Sequence, residues 1–232
     1  MAIRFENVRL QAGAFTLTAD LEIASGARVA VMGPSGAGKS TLLAGLCGFL
    51  PLAVGRIVIA GQDITNAAPG ARPVATLFQD GNLFPHLTAA QNVGLGLRPD
   101  LRLSGEEACA VQTALDRVGL AGLGDRKPAQ LSGGQQSRVA LARVLLQRRA
   151  VLALDEPFAA LGPALKAEML DLVGEVAQET KATVLMITHD PADARRLADE
   201  TVLVAEGRAN PPAPTGTLLD DPPAALQEYL GA

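Results

Sequence analysis

The chain has 232 residues, of which 48% are hydrophobic, and a formal net charge of -4. That length holds one large α/β domain or two small ones, and the acidic balance excludes the basic field that nucleic acid requires. Aromatic residues make up only 3%, with no Trp, so the core has to be built from Ala, Val, Leu and Ile.

The opening residues carry charge at Arg4, Glu6 and Arg9 and hold no apolar signal core. No run reaches the ~20 apolar residues of a membrane helix. A membrane process served by this protein would therefore need its membrane part from another chain. Cys47 and Cys109 stand far apart without a CxxC partner, which argues against a zinc site or a disulfide scaffold and for a reducing compartment. Both are expected as small buried side chains on helices.

In chain order, Phe15 to Leu21 alternates, with Phe15, Leu17, Ala19 and Leu21 on one face, and suits an antiparallel strand. Arg28 to Met32 reads as a buried strand. It runs straight into Gly33-Pro34-Ser35-Gly36-Ala37-Gly38-Lys39-Ser40-Thr41 and an apolar helix over Thr41 to Leu46. This fits GxxxxGK[ST] between a strand and a helix, so backbone N–H groups curl inward around phosphates. Lys39 supplies a cation for β- and γ-phosphates and Ser40 a hydroxyl for Mg²⁺. Arg56 to Ala60 and Val74 to Phe78 read as further strands, the second followed by Gln79.

From about Thr88 to Arg148 no strand is evident. Gly105 to Val118 is helical, with Ala108, Val111, Leu115 and Val118 along one face, and so is Gln135 to Gln147. This stretch reads as a helical subdomain set into an α/β core. Leu131-Ser132-Gly133-Gly134-Gln135 opens the second of those helices. An N-cap accounts for Ser132. The glycines and Gln135 suggest a second phosphate cradle at a helix N-terminus. One nucleotide hardly needs two cradles from one chain, so two chains pairing head to tail is the economical reading.

Val151 to Leu154 is an apolar strand ending in Asp155-Glu156. Beside a phosphate loop, the first carboxylate suits Mg²⁺ and the second suits orienting or deprotonating an attacking water. Thr183 to Thr188 and Thr201 to Ala205 are two more strands, with His189 at the end of the first. Polar residues at strand ends are where a doubly wound sheet presents its ligand site. Asn210 to Gly216, with three prolines, reads as an irregular connection, and Ala224 to Leu230 as a short helix. One folding unit spanning 1–232 is the simplest reading.

The phosphate loop, the Gln79 loop, LSGGQ, VLALDEP and the His of ITHD stand in the order of the ABC ATPase family, which this chain resembles over essentially its whole length. The resemblance implies an α/β P-loop ATPase core, 1–79 and 150–232, made of a mostly parallel sheet with an N-terminal antiparallel β part. A helical signature subdomain, 80–149, is inserted in it. It also implies a homodimer with two ATP molecules at the interface, each between one phosphate loop and the partner's LSGGQ. Glu156 would be the general base, His189 a γ-phosphate contact, and Gln79 a sensor of Mg²⁺ and the attacking water. Asp155 and Ser40 would hold the metal.

Two positions depart from the family pattern. Gly162 stands where an Asp joining the two sites is usual, and no aromatic occupies the family's first loop, here Arg9 to Ala14, to stack on adenine. Phe15, the nearest aromatic, is expected in the core. A single cassette, about 90 residues between the phosphate loop and LSGGQ, and the acidic balance speak for transport over a DNA-repair, chromosome or translation ATPase. A P-loop kinase would give LSGGQ nothing to do.

The segment from Arg72 to Leu97 resembles the ATPases of bacterial importers, most of all thiamine importers, with ferric iron or another small-solute importer as the alternative. The implied partners are a membrane permease and, indirectly, a periplasmic binding protein. The implied location is peripheral, on the cytoplasmic face of the inner membrane. No regulatory domain is expected after the cassette. Leu83 and Phe84 either face the permease or fold back into the helical subdomain.

Overall fold

In the computed structural model, residues 3–78, 81–159 and 161–230 are described. Gln79 lies outside them. Eleven strands form one sheet: β1 Ile3–Ala12, β2 Phe15–Ile23, β3 Arg28–Met32, β4 Leu52–Ile59, β5 Gln62–Asp63, β6 Val74–Leu77, β7 Val151–Asp155, β8 Thr183–Ile187, β9 Glu200–Ala205, β10 Arg208–Ala209 and β11 Ala213–Pro214. The order is β5-β4-β1-β2-β10-β9-β3-β8-β7-β6, with β11 on β9. From β9 to β6 all neighbours are parallel, whereas β1, β2, β4 and β5 pair antiparallel.

Burial explains the division. Every residue of β8 is buried, as are the first four of β7, because helices cover both faces. Along β2 burial alternates with period two, so only one face meets the core. The helices are α1 Lys39–Cys47, α2 Ala89–Gly94, α3 Gly105–Arg117, α4 Gly133–Leu146, α5 Pro163–Thr180, α6 Pro191–Leu197, α7 Thr215–Asp220 and α8 Ala224–Leu230. One apolar cluster joins α2, α3, α4 and α5 to β6, β7 and β8. A second joins α1 to β1, β2 and β4. A third packs α6, α7 and α8 against β3 and β9.

Several sequence expectations need correction. Arg56 to Ala60 is not a separate strand: Arg56 to Ile59 is the end of β4, which starts at Leu52 and is antiparallel to β1, and Ala60 begins the turn after it. The expected first loop is largely β1, leaving Gly13-Ala14 as the turn. Asn210 to Gly216 contains β11 and the start of α7, since Pro214 is tolerated on an edge strand. Cys47 is buried as expected, but Cys109 is exposed, on the outer face of α3.

The parallel register sets up the site. Val31 of β3 pairs with Ile187 of β8, and Asp155 of β7 pairs with the same Ile187. The segments leaving β3, β7 and β8 therefore emerge together at one sheet edge.

Candidate nucleotide site

The phosphate loop leaves β3 at Gly33, whose φ is 144° and whose Cβ position lies 1.9 Å from the Val204 carbonyl oxygen. Only glycine can turn there. The loop closes at Gly38, the N-cap of α1, with φ 107°. A Cβ on Gly38 would sit 2.9 Å from the Phe15 ring. Phe15 thus packs beneath the loop, in keeping with a core role.

Lys39 follows. Its Nζ donates to the carbonyls of Gly33 at 2.8 Å and Pro34 at 2.9 Å, which among the described residues leaves one N–H for a ligand. Burial lowers its pKa, partly offset by the charges of Glu156 and Asp155. Ser40, on the first turn of α1, is exposed.

Asp155 ends β7. Burial raises its carboxyl above the ordinary value; the Ser40 hydroxyl counters that, Glu156 adds to it and Lys39 opposes it. A desolvated carboxylate beside a hydroxyl and an ammonium fits a divalent cation bound with phosphate, because added positive charge restores the ionised form. Ser40 and Asp155 are the donors at hand. No group of three or more His, Cys, Asp and Glu residues that could hold a metal ion occurs among the described residues.

Glu156 adopts φ 44°, an uncommon left-handed conformation. Its backbone N–H donates to the Ile187 carbonyl at 3.1 Å, and its Oε2 lies 3.2 Å from His189 Nδ1. The two residues leave adjacent strands and meet side chain to side chain. Behind His189, the Lys166 Nζ bridges Asp190 at 2.5 Å and Asp193 at 2.9 Å. The Thr188 hydroxyl donates to Asp193 at 3.2 Å.

The signature segment caps α4. Ser132 Oγ accepts from the Gln135 N–H at 3.3 Å, and Gln135 Oε1 accepts from the Ser132 N–H at 2.9 Å. This capping box explains Gln135, which the sequence alone had left to a ligand. Gly133 is not explained this way: space is open around it, and Ser132 and Gly133 are exposed. Among the described residues, no hydrogen bond joins Ser132 to Gln135 with the phosphate loop of the same chain.

Two features escaped the sequence. Lys39 Nζ stands 5.8 Å from the ring centroid of Tyr229 on α8, a contact across most of the chain that no local signal announces. Asn92, fully buried, accepts from the Phe84 N–H at 2.8 Å and donates to the carbonyls of Phe84, Leu87 and Thr88. Arg143 donates to the carbonyls of Gly81 and Asn82. The loop after position 80 is therefore braced from two sides. Leu83 packs inward, while Phe84 stays 47% exposed.

Against this geometry, the ABC transporter family model matches residues 17–159. A Ruegeria protein named thiamine import ATP-binding protein ThiQ is 60% identical over 230 residues, 99% of this chain and 100% of that protein. The protein of that name from Cereibacter sphaeroides is 59% identical, covering 99% of each; that from Yersinia pestis is 51% identical, covering 91% of this chain and 89% of its own. A solved dimer of the ATP-binding cassette MJ0796, in a post-hydrolysis state bound to ADP and Pi, superposes with TM-score 0.82 at 29% identity. The match covers 92% of this chain and 98% of that one.

Proposed function

The chain belongs to the ABC transporter family, as an ATP-binding subunit whose ATP hydrolysis drives transport, and we propose that the cargo it helps import is thiamine or its phosphates. The observation that carries the cargo is the identity of 60% and 59%, nearly end to end, with two proteins named for thiamine import.

The proposed chemistry follows from the site. N–H groups of Gly36, Ala37, Gly38, Lys39, Ser40 and Thr41 cradle the phosphates together with Lys39, with Gly33, Pro34 and Ser35 shaping the turn. Mg²⁺, held by Ser40 and Asp155 with Gln79, would neutralise phosphate charge. Glu156 takes the proton of the attacking water, and His189 contacts the γ-phosphate and orients Glu156 through Nδ1. Two copies pair head to tail, so that Ser132, Gly133, Gly134 and Gln135 of one close on the ATP of the other. The solved relative is itself a dimer, and the exposure of Ser132 and Gly133 supports the arrangement.

In the same reading, 80–149 is the signature subdomain and 1–79 with 150–232 the core. Among the described residues no helix is long and apolar enough to cross a membrane. A separate permease would supply the membrane part, fed by a periplasmic binding protein, with this subunit on the cytoplasmic face of the inner membrane.

The test is uptake of labelled thiamine in a strain deleted for this gene. High-affinity uptake should be lost in the deletion and restored by the wild-type copy. Normal thiamine uptake with loss of another solute would overturn the cargo and leave the ATPase intact.

A further inference from the structure

Tyr229 has no place in the site assembled so far, yet α8 carries it there. Leu226, fully buried, packs with Leu219 against Ala30 and Met32 of β3, the strand that feeds the phosphate loop, and Tyr229 packs against the same cluster. The ring then comes 5.8 Å from Lys39 Nζ. Its hydroxyl is buried and has no hydrogen-bond partner among the described residues. Burial, and after it the nearby negative charge of Glu156, raise its pKa, so it stays a protonated donor.

An unpartnered buried hydroxyl is destabilising, and a phenylalanine would pack the same ring without that penalty. Buried polar groups that lack a partner in the protein are understood when a ligand completes them. The surroundings specify that ligand. Among the described residues, Lys39 has one N–H left after its bonds to Gly33 and Pro34, and the charge of Glu156 is near enough to act on the Tyr229 hydroxyl. A donor beside an ammonium with a spare N–H suits an anionic oxygen acceptor. The neighbouring general base puts that oxygen at the reacting end of the nucleotide.

We propose that the Tyr229 hydroxyl donates a hydrogen bond to the terminal phosphate of bound ATP, making α8 part of the nucleotide site. This rests on the reading of Lys39 as the phosphate lysine. Tyr229 is a binding residue here, and no bond is made or broken through it. The C-terminal helix thereby gains a role in telling ATP from ADP, since only the triphosphate reaches its donor.

The full-length chain can be titrated with a non-hydrolysable ATP analogue and with ADP, as wild type, Tyr229→Phe and Lys39→Ala. Tyr229→Phe should lose about tenfold or more in affinity for the ATP analogue, the size of one hydrogen bond to a charged group. It should keep its ADP affinity, and the nucleotide-free protein should melt at the wild-type temperature or above. Unchanged or tighter binding of the ATP analogue would overturn the proposal and mark the tail as a bystander or a plug. An equal loss for ADP would remove the terminal phosphate as the acceptor, and a lower melting temperature would reveal a structural partner for the hydroxyl. If Lys39→Ala binds both nucleotides normally, the phosphate-site reading itself fails, a result distinct from failure at Tyr229 alone.

Discussion

At residue scale, Glu156 shows how the site aims a carboxylate. A non-glycine residue at φ 44° gives up roughly 1–2 kcal/mol to the left-handed conformation. The N–H bond to the Ile187 carbonyl and the buried Pro157 and Phe158 that follow hold it there. The turn brings Oε2 to His189 instead of letting the side chain run on along β7. Glu156→Gln keeps the shape and the contact with His189 but removes the base. Phosphate release should fall by about 10² or more, with ATP binding retained in a parallel titration. Near wild-type turnover would sink the assignment. Lys39, Asp155 and Glu156 were legible because their chemistry sits in contiguous motifs. Gln135 carries two meanings in the sequence, because a capping box and a phosphate cradle use the same residues at a helix start. Tyr229 was invisible because only tertiary packing brings α8 to the phosphate loop.

At the scale of elements, α5 starts without a side-chain cap at Gly162, and Lys166 on its first turn ties it to α6. Asp190 is the N-cap of α6 and accepts from the Ala192 N–H at 2.9 Å, so the same carboxylate fixes a helix start and binds Lys166. The Lys166 hydrogen bond holds Asp190 below the usual carboxylate range. Burial lowers Lys166, but its bonds to Asp190 and Asp193 outweigh that and raise it. With Asp190 depressed in the folded state, its stabilisation is present above the ordinary carboxylate value and fades as pH falls through the folded one. With Lys166 raised, its share is present below the ordinary lysine value and is lost above it. Lys166→Met should therefore destabilise by about 1–2 kcal/mol at neutral pH, discounted for partial exposure. The gap to wild type should close on acidification below the carboxylate range. A gap that persists unchanged in acid would show that Lys166 acts through packing alone. Neither α5 nor this bridge was read from sequence. The helix is buried along one side and mixed on the other, and the bridge joins residues from two separate elements.

At the scale of the whole molecule, the division into a parallel core, an antiparallel N-terminal part and a helical stretch was legible, because period-two alternation in β2 and continuous burial in β7 and β8 are different patterns. The short strands β5, β10 and β11 were not, since two residues carry no period. What the sequence left open about Leu83 and Phe84 the packing splits: Leu83 joins the core cluster, and Phe84 remains 47% exposed. Its ring stands edge-on to that of His86, with 6.1 Å between the centroids. Phe49, at 55% exposure, is a second large apolar side chain left at the surface, its ring 5.5 Å from Phe78. Exposed aromatics are unremarkable on a mobile tip. Phe84 instead sits on a loop bound by Asn92 and Arg143, which points to a surface that another chain covers. Under the proposed function that chain is the permease, and burying the rest of the Phe84 ring is worth roughly 1–2 kcal/mol to the contact. Phe84→Asp removes the apolar area and adds a charge that burial would penalise. The isolated subunit should fold and bind ATP as before, because Phe84 is not among the residues assigned to the nucleotide. Co-purification with the permease and thiamine uptake should both drop sharply, by about an order of magnitude or more once the lost area and the buried charge combine. Wild-type uptake by Phe84→Asp would mean that the permease docks elsewhere on the molecule.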